Sequence, residues 1–274
     1  MTEVAVITGG ASGFGLALGA RCAERGLRVA LLDRDGERAE AEAEALRETH
    51  GVDAVGLTAD VADDGGVRAA AGAVLDRFGR ADLVVSNVGV QLFGAVERLT
   101  DEEWRWVLDV NVVGAARVAR AFVPPLRAAP AGRLAFTASS SVLDPAGRMA
   151  AYQASKFAVL GLAETLRLEL GDDGIAVCVL FPSGMASRHL ETSAAAQPDH
   201  LRRPIGEQED FEAMAASNPA MVQAVVSPEE AAGNVIDALL NGERYAITHG
   251  DLLTPVTTRH EHLRRAATAA RGTG

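Results

Sequence analysis

The residues with the clearest chemical potential are Tyr152 and Lys156, in the run Tyr152-Gln153-Ala154-Ser155-Lys156. The segment 150–170 has helical spacing, and positions four apart share a helix face, so the phenol and the ammonium point the same way. A free phenol with a pKa near 10 is a poor base at neutral pH. Bringing it to about 7 takes about 4 kcal/mol of preferential stabilisation of the phenolate. A neighbouring ammonium and the positive ring of an oxidised nicotinamide are the sources such a pair would draw on. The chain has two tyrosines and 26 basic residues, yet Lys156 is its only lysine. Arginine, forked, planar and always charged, is used everywhere else, so the one compact ammonium stands where a point charge beside a ring and a ribose would be needed.

Elements that could position this pair alternate strand, helix, strand along the chain. Short apolar runs at 4–8, 28–33, 54–59, 82–86, 133–139 and 175–181 read as strands buried on both faces, with a seventh at 244–248. Helical spacing covers 15–25, 36–50, 63–78 and 150–170. Thr100-Asp101-Glu102-Glu103 is a capping box that opens a long helix toward residue 127. Ser227-Pro228-Glu229-Glu230 opens another, with proline at the permitted first position, and 255–270 reads as a helical tail. Such alternation implies an α/β, Rossmann-type doubly wound parallel sheet of about seven strands with helices on both faces. No repeat or linker interrupts it, so residues 1–274 read as a single domain. An irregular insertion at about 183–226 is long enough to be a substrate lid.

The first strand-to-helix turn is Thr8-Gly9-Gly10-Ala11-Ser12-Gly13-Phe14-Gly15. Glycines there let the backbone approach a pyrophosphate seated on the helix N-terminus. Asp33 closes the second strand 18 residues after Gly15, where a carboxylate can accept both adenosine ribose hydroxyls and would repel the 2′-phosphate of NADP. Arg34 follows directly and offers that phosphate a guanidinium. The reading is NAD, with NADP less favoured. Asp60-Val61, after the third strand, is placed for the adenine edge, and Asn87-Val88-Gly89 lies where a ligand crosses the strand ends.

Composition excludes several other classes. A net charge of −11 with scattered basic residues argues against a nucleic-acid partner. Cys22 and Cys178 lie in apolar segments without metal spacing and read as buried free thiols suited to a reducing cytosol. No metal site is expected. No apolar run is long enough to span a bilayer, and the N-terminal run reads as a strand rather than a signal segment, so a cytoplasmic protein without a membrane partner is expected.

Taken together, Thr8-Gly9-x-x-x-Gly13-x-Gly15, Asn87-x-Gly89, Asn111, Ser139 and Tyr152-x-x-x-Lys156 resemble the single-domain branch of the short-chain dehydrogenase/reductase family. The motifs span roughly residues 4–187. The resemblance implies that Tyr152 exchanges a proton with the substrate hydroxyl or carbonyl, and that Lys156 binds the nicotinamide ribose and lowers the tyrosine pKa. It implies that Ser139, thirteen residues before the tyrosine, hydrogen-bonds the substrate oxygen in preference to its neighbours Ser140 and Ser141. Asn111 would kink its helix and hold a water in a proton relay from Lys156. Pro182, Met185 and Ser187 would meet the nicotinamide carboxamide. Two departures stand out: Ser86-Asn87-Val88-Gly89 keeps only the second of the family's two asparagines, and its Pro-Gly reads Pro182-Ser183-Gly184 here. The family also implies a homotetramer or homodimer packed through the helices at 101–127 and 150–170.

Substrate contacts would come from Val90, Leu92 and Phe93 after Gly89, from Val142 and Leu143, and from Met185, Leu190, Phe211, Met214 and Met221 in the insertion. That lining suits a secondary alcohol or ketone of moderate size and largely apolar character. His189 and His200 read as solvated loop histidines. The alternatives are an NADP-dependent carbonyl reductase and a non-catalytic dinucleotide-binding protein. A sugar-nucleotide epimerase shares the Tyr-Lys pair but carries a G-x-x-G-x-x-G turn, which is missing here.

Overall fold

Strands with every residue buried, such as Val4-Ala5-Val6-Ile7-Thr8, have no solvent face and must lie between two layers. A computed structural model, which describes residues 2–271, shows how they do so. In chain order the elements are β1 (Val4–Thr8), α1 (Gly13–Glu24), β2 (Arg28–Asp33), α2 (Gly36–His50), β3 (Ala54–Thr58), α3 (Asp64–Phe78), β4 (Leu83–Ser86), α4 (Asp101–Leu108), α5 (Gly114–Arg127), β5 (Arg133–Thr137), α6 (Ala150–Leu170) and β6 (Ala176–Phe181). The insertion follows as α7 (His189–Ala196), α8 (Gln208–Ser217) and α9 (Ala220–Gln223). The chain then runs through α10 (Pro228–Leu240), β7 (Tyr245–Ile247) and α11 (Leu253–Arg271). The seven strands form one parallel sheet in the order β3-β2-β1-β4-β5-β6-β7.

Side chains alternate across the sheet and build a core on each face. Val4, Val6, Leu32, Val84, Leu134, Phe136 and Val179 pack with α3, α5 and α6 on one side. Ala5, Ile7, Leu31, Val85 and Leu180 pack with α1, α2 and α10 on the other. Both cysteines lie in the second layer, free and buried, and burial pushes their thiols up to about 12. They are inert thiols.

Three expectations change on inspection of the backbone. The helix running toward residue 127 reaches it but is not regular throughout: α4 and α5 are joined by a π-helical turn over Asp109–Val113, which is where Asn111 sits. The insertion is mostly helical rather than irregular, because α7, α8 and α9 bury one face of each against the cleft and leave the other wet. Several strands are one or two residues shorter than their apolar runs; β5 stops at Thr137, after which Ser139 takes the cap position of a short 3₁₀ turn at Ser140–Val142. The caps are as expected, with Thr100 and Glu103 bonded reciprocally in a capping box and Ser227 accepting from the Glu230 N–H.

At the N-terminal edge of the sheet one residue, Asp82, pins three strands through its carboxylate and its backbone. Asp82, 1% exposed, accepts the Val4 N–H at 2.9 Å and Arg80 Nε at 2.7 Å, while its own carbonyl accepts from Arg133 N. Asp82→Ala would strand a buried N–H and unpair Arg80. Urea denaturation should show a loss of about 2–4 kcal/mol, somewhat under the cost of breaking a fully buried pair because the Arg80 side chain stays partly exposed.

Candidate active site

At the opposite, C-terminal edge of the sheet the strands open into a cleft of about 1330 Å³. The turn after β1 forms its floor. Gly9 and Gly13 have φ of +67° and +54°, and a Cβ on Gly15 would lie 2.1 Å from the Gly9 carbonyl oxygen, so these positions accept little else. Ser12 is the N-cap of α1, yet its side chain makes no capping bond, and the first helical turn carries no acid. The N–H groups and positive end of α1 are therefore not occupied by the protein's own side chains, and Ser12, Gly13, Phe14 and Gly15 all line the cleft. This is a fitting seat for a pyrophosphate.

Asp33 stands at the end of β2, with its carboxylate taking the N–H groups of Ala11 and Asp35, each at 3.1 Å. One of those bonds fastens the acid to the glycine turn. Arg34 turns instead to the insertion, donating from Nη2 to the Ala195 carbonyl at 3.0 Å. Asp60 accepts from Ala62 N at 2.8 Å and, with Val61, lines the same cleft. Asn87 lines it too, but its side-chain atoms are engaged: Nδ2 donates to Thr8 O at 3.2 Å and Oδ1 accepts from Thr137 Oγ1 at 3.0 Å. It ties β1, β4 and β5 together at their ends, and what it presents to a ligand is backbone.

Lys156 and Tyr152 project from the first turns of α6, both buried. Lys156 Nζ donates to the Thr137 carbonyl at 2.9 Å and lies 5.7 Å from the Tyr152 ring centroid. A Cβ on Gly89 would come within 2.9 Å of Nζ, so a side chain there would displace the ammonium. Asn111 braces the loop above: its amide donates to Val90 O at 3.0 Å and Ser155 Oγ at 2.8 Å, and its Oδ1 accepts from Val90 N at 2.7 Å. Ser139 Oγ accepts from Ser141 N at 3.2 Å and lines the same cleft as Tyr152. Burial pushes the Tyr152 phenol up from its ordinary value, while the bonds from Ser139 and Gln91 pull it back. Burial likewise lowers Lys156 to about 8. The downward shift expected of Tyr152 is thus opposed by desolvation, and a cation in contact with the phenolate would have to overcome it.

The structure brings Pro182, Met185 and Ser187 to the same cleft. Pro182 O accepts from Ser140 N at 2.8 Å, and Met185 forms a bridge with Val226, closing the base of the insertion. Gly184, displaced by one position from the family pattern, is used there: a Cβ would meet the Met221 carbonyl oxygen at 2.3 Å. Of the expected substrate lining, Val90, Phe93, Leu190, Phe211, Met214 and Met221 reach the cleft, whereas Leu92, Val142 and Leu143 pack into the cores.

Two residues were misjudged or missed from sequence. His189 is not a solvated loop histidine. It begins α7, half-buried in the cleft, and its surroundings together with the Lys156 charge push it down to about 4, so the ring is neutral at physiological pH. His200 is exposed, as expected, although it too borders the cleft. Gln91, beside the tyrosine, carried no signal apart from lying two residues after Gly89.

A glycine turn on a helix N-terminus, an acid ending the next strand and a Ser-Tyr-Lys set on one cleft define a dinucleotide-dependent oxidoreductase of Rossmann type. Residues 3–198 match the short chain dehydrogenase family. The chain is 35% identical over 181 residues to D-threitol dehydrogenase of Mycolicibacterium smegmatis, covering 66% of this chain and 69% of that one. It spans less of two 3-dehydrosphinganine reductases of Arabidopsis thaliana, 58% and 60% of their lengths, at 34% identity. A short-chain dehydrogenase/reductase from Burkholderia phymatum, solved in complex with NAD, superposes with a TM-score of 0.86 at 30% identity, covering 97% of this chain and 95% of that one. L-sorbose reductase from Gluconobacter frateurii, solved with NADPH and L-sorbose, gives 0.78 at 28% identity, covering 92% and 97%. The chain belongs to the short-chain dehydrogenase/reductase family, as an enzyme of the alcohol dehydrogenase/ketone reductase kind. Among the described residues no helix is long and apolar enough to cross a membrane.

The buried ammonium makes a prediction about stability. Lys156 loses its proton near 8 when folded and near 10.5 when unfolded, so between those values the unfolded chain binds more protons and folding gains as pH rises. Without cofactor, the stability of the parent protein relative to Lys156→Met should climb by up to about 3 kcal/mol across that window. Urea titrations of both proteins at several pH values would show it; a constant difference would contradict the buried charge.

Proposed function

We propose that this enzyme transfers a hydride between NAD and a secondary alcohol/ketone pair of moderate size and largely apolar character. The observation that carries the proposal is the convergence of Ser139, Tyr152 and Lys156 on one cleft that also holds Asp33. Asp33 would receive the adenosine ribose hydroxyls, α1 the pyrophosphate, and Lys156 the nicotinamide ribose. Backbone at Asp60, Val61, Asn87, Gly89, Pro182 and Met185, with the Ser187 hydroxyl, would complete the cofactor's wall. NAD, when bound, supplies the hydride acceptor in the oxidative direction and the positive ring next to Tyr152.

In that direction the Ser139 hydroxyl hydrogen-bonds the substrate oxygen, and the Tyr152 phenolate takes the proton from it as the carbonyl forms. In reduction the phenol returns that proton. Lys156 steadies the phenolate, and Asn111 holds a water through which the lysine reaches solvent. Residues 183–226 act as the substrate lid of a single catalytic domain spanning 1–274, and the tail around 255–270 lies outside the chemistry.

The NAD preference is supported by the Asp33 carboxylate at the ribose position and by Arg34 being engaged with the insertion. Apolar side chains from Phe93, Met149, Leu190, Phe211, Met214 and Met221 support the substrate class. A homotetramer in the cytoplasm is the favoured assembly and location; exposed Val113, Phe157 and Leu168 on the elements expected to pack between subunits support the former.

Tyr152→Phe should lower kcat for alcohol oxidation by about 10²–10⁴-fold while NADH titrated by fluorescence binds within a few-fold of the parent. Retained turnover would remove the tyrosine from the proton step. Steady-state kinetics should give kcat/KM at least about tenfold higher with NAD than with NADP, a difference of about 1.4 kcal/mol, and Asp33→Ala should erase it. A preference for NADP in the parent protein would establish the carbonyl reductase alternative.

A further inference from the structure

The insertion at 183–226 leaves the body after β6 and returns just before α10, and its two ends lie side by side. They meet in a parallel bridge between Met185 and Val226, where Ala186 N donates to Val226 O at 2.9 Å and Val226 N to Gly184 O at 3.2 Å. The approach is close because residue 184 is glycine. A Cβ there would stand 2.3 Å from the Met221 carbonyl oxygen and 3.1 Å from that of Ala224. The glycine displaced from the family pattern thus falls where the returning backbone comes nearest.

One side chain from outside the insertion holds both ends. His249, half-buried two residues past β7, has Nε2 at 2.9 Å from Gly184 O and 3.0 Å from Ala224 O. Carbonyls only accept, so Nε2 carries the hydrogen and shares it between them, which leaves Nδ1 to accept from the Thr248 hydroxyl at 2.9 Å. Thr248 is itself fixed: it is 2% exposed, its Oγ1 accepts from Ser183 N at 3.2 Å, and its carbonyl accepts from Asn234 Nδ2 on α10 at 2.8 Å. The imidazole is therefore set on a rim formed by β7 and α10, and residues 183, 184 and 224 are tied to that rim. An apolar side chain of similar size would fill the space but give the two carbonyls no donor.

The backbone held in this way is one wall of the cleft. Pro182, Met185 and Ser187 line the cleft within three positions of Gly184, and His249 stands behind them rather than in it. A planar carboxamide is recognised by groups at fixed distances, and a wall that has to be ordered on binding gives up affinity to that ordering.

We propose that His249 is a positioning residue for the nicotinamide subsite: by clasping both ends of the insertion it fixes the backbone at Met185 and Ser187 against which the carboxamide rests. The role depends on the nicotinamide lying where the proposed function puts it. His249→Leu removes the shared donor at similar volume. NADH titrated by fluorescence should then bind about tenfold more weakly, whereas ADP-ribose, which lacks only the nicotinamide, should bind within about twofold of the parent. His249→Gln keeps a donor near the Nε2 position and should restore most of the NADH affinity. Equal losses for the two ligands would mark a general loss of structure, and an unchanged NADH affinity would leave the clasp without a role. Either result overturns the proposal.

Hydrogen exchange of the cofactor-free protein reads the clasp without any ligand. His249→Leu should speed exchange of the Ala186 and Val226 amides, and His249→Gln should largely keep their protection, while the turn at 9–15 exchanges as in the parent. Parent-like exchange at 183–187 in His249→Leu would refute the clasp. A parent protein that binds neither NADH nor NADPH would instead refute the proposed function, and the nicotinamide role of His249 with it.

Discussion

Burying one ammonium at the ends of three strands is the constraint around which this site is organised. A charge taken out of water needs compensating partners or a shifted pKa, and Lys156 shows both: one bond to the Thr137 carbonyl and a pKa lowered to about 8. Room for it exists because position 89 is glycine. Its carbonyl partner is in place because Thr137 is itself fixed, its hydroxyl donating to Asn87, whose amide reaches Thr8 on β1. The sheet thus ends in a rigid rim of side chain-to-backbone bonds, and the lysine stands on it. An arginine could not take the same place, being longer, forked and unable to release its proton.

The π turn at Asp109–Val113 answers a second demand of the same corner. A regular helix from residue 101 to 127 would present side chains at fixed 100° steps, whereas the widened turn lets Asn111 face inward and hold both polar groups of Val90. That loop then carries Gly89 over the lysine and Gln91 to the tyrosine. Two departures from regular secondary structure, the π turn and the 3₁₀ turn that follows Ser139, therefore both pack against α6 and set partners of its first two turns.

Much of this was legible in the residues. Fully apolar runs announced strands with no wet face, capping boxes marked helix starts, and the lone lysine four residues after a tyrosine marked the site. What escaped has a common physical cause. The side-chain engagement of Asn87, the inward turn of Asn111 and the pairing of Gln91 with Ser193 all depend on contacts between residues 21 to 102 positions apart, which no local period encodes. His189 reads as a loop residue because its neighbours are polar; its burial comes from α7 lying against the cleft. The insertion seemed irregular because its helices are short and each buries only a narrow stripe, which leaves a weak period.

An overall charge of −11 would by itself oppose an anionic dinucleotide, and the geometry shows why it need not. At physiological ionic strength charges more than about 8 Å apart are largely screened, so what the ligand feels is the local field. Locally that field is positive where phosphates would rest, from the uncapped N–H groups at the start of α1, and positive again at Lys156 where a ribose and a phenolate would meet. It is negative at Asp33, where hydroxyls are wanted and a further phosphate is not. Backbone dipoles and individually placed side chains, rather than an overall excess of basic residues, give the cleft this sequence of signs. That arrangement also accounts for a surface that stays acidic without cost to the site, since the donors that matter are fixed by the fold and do not compete with solvent-exposed arginines for the ligand.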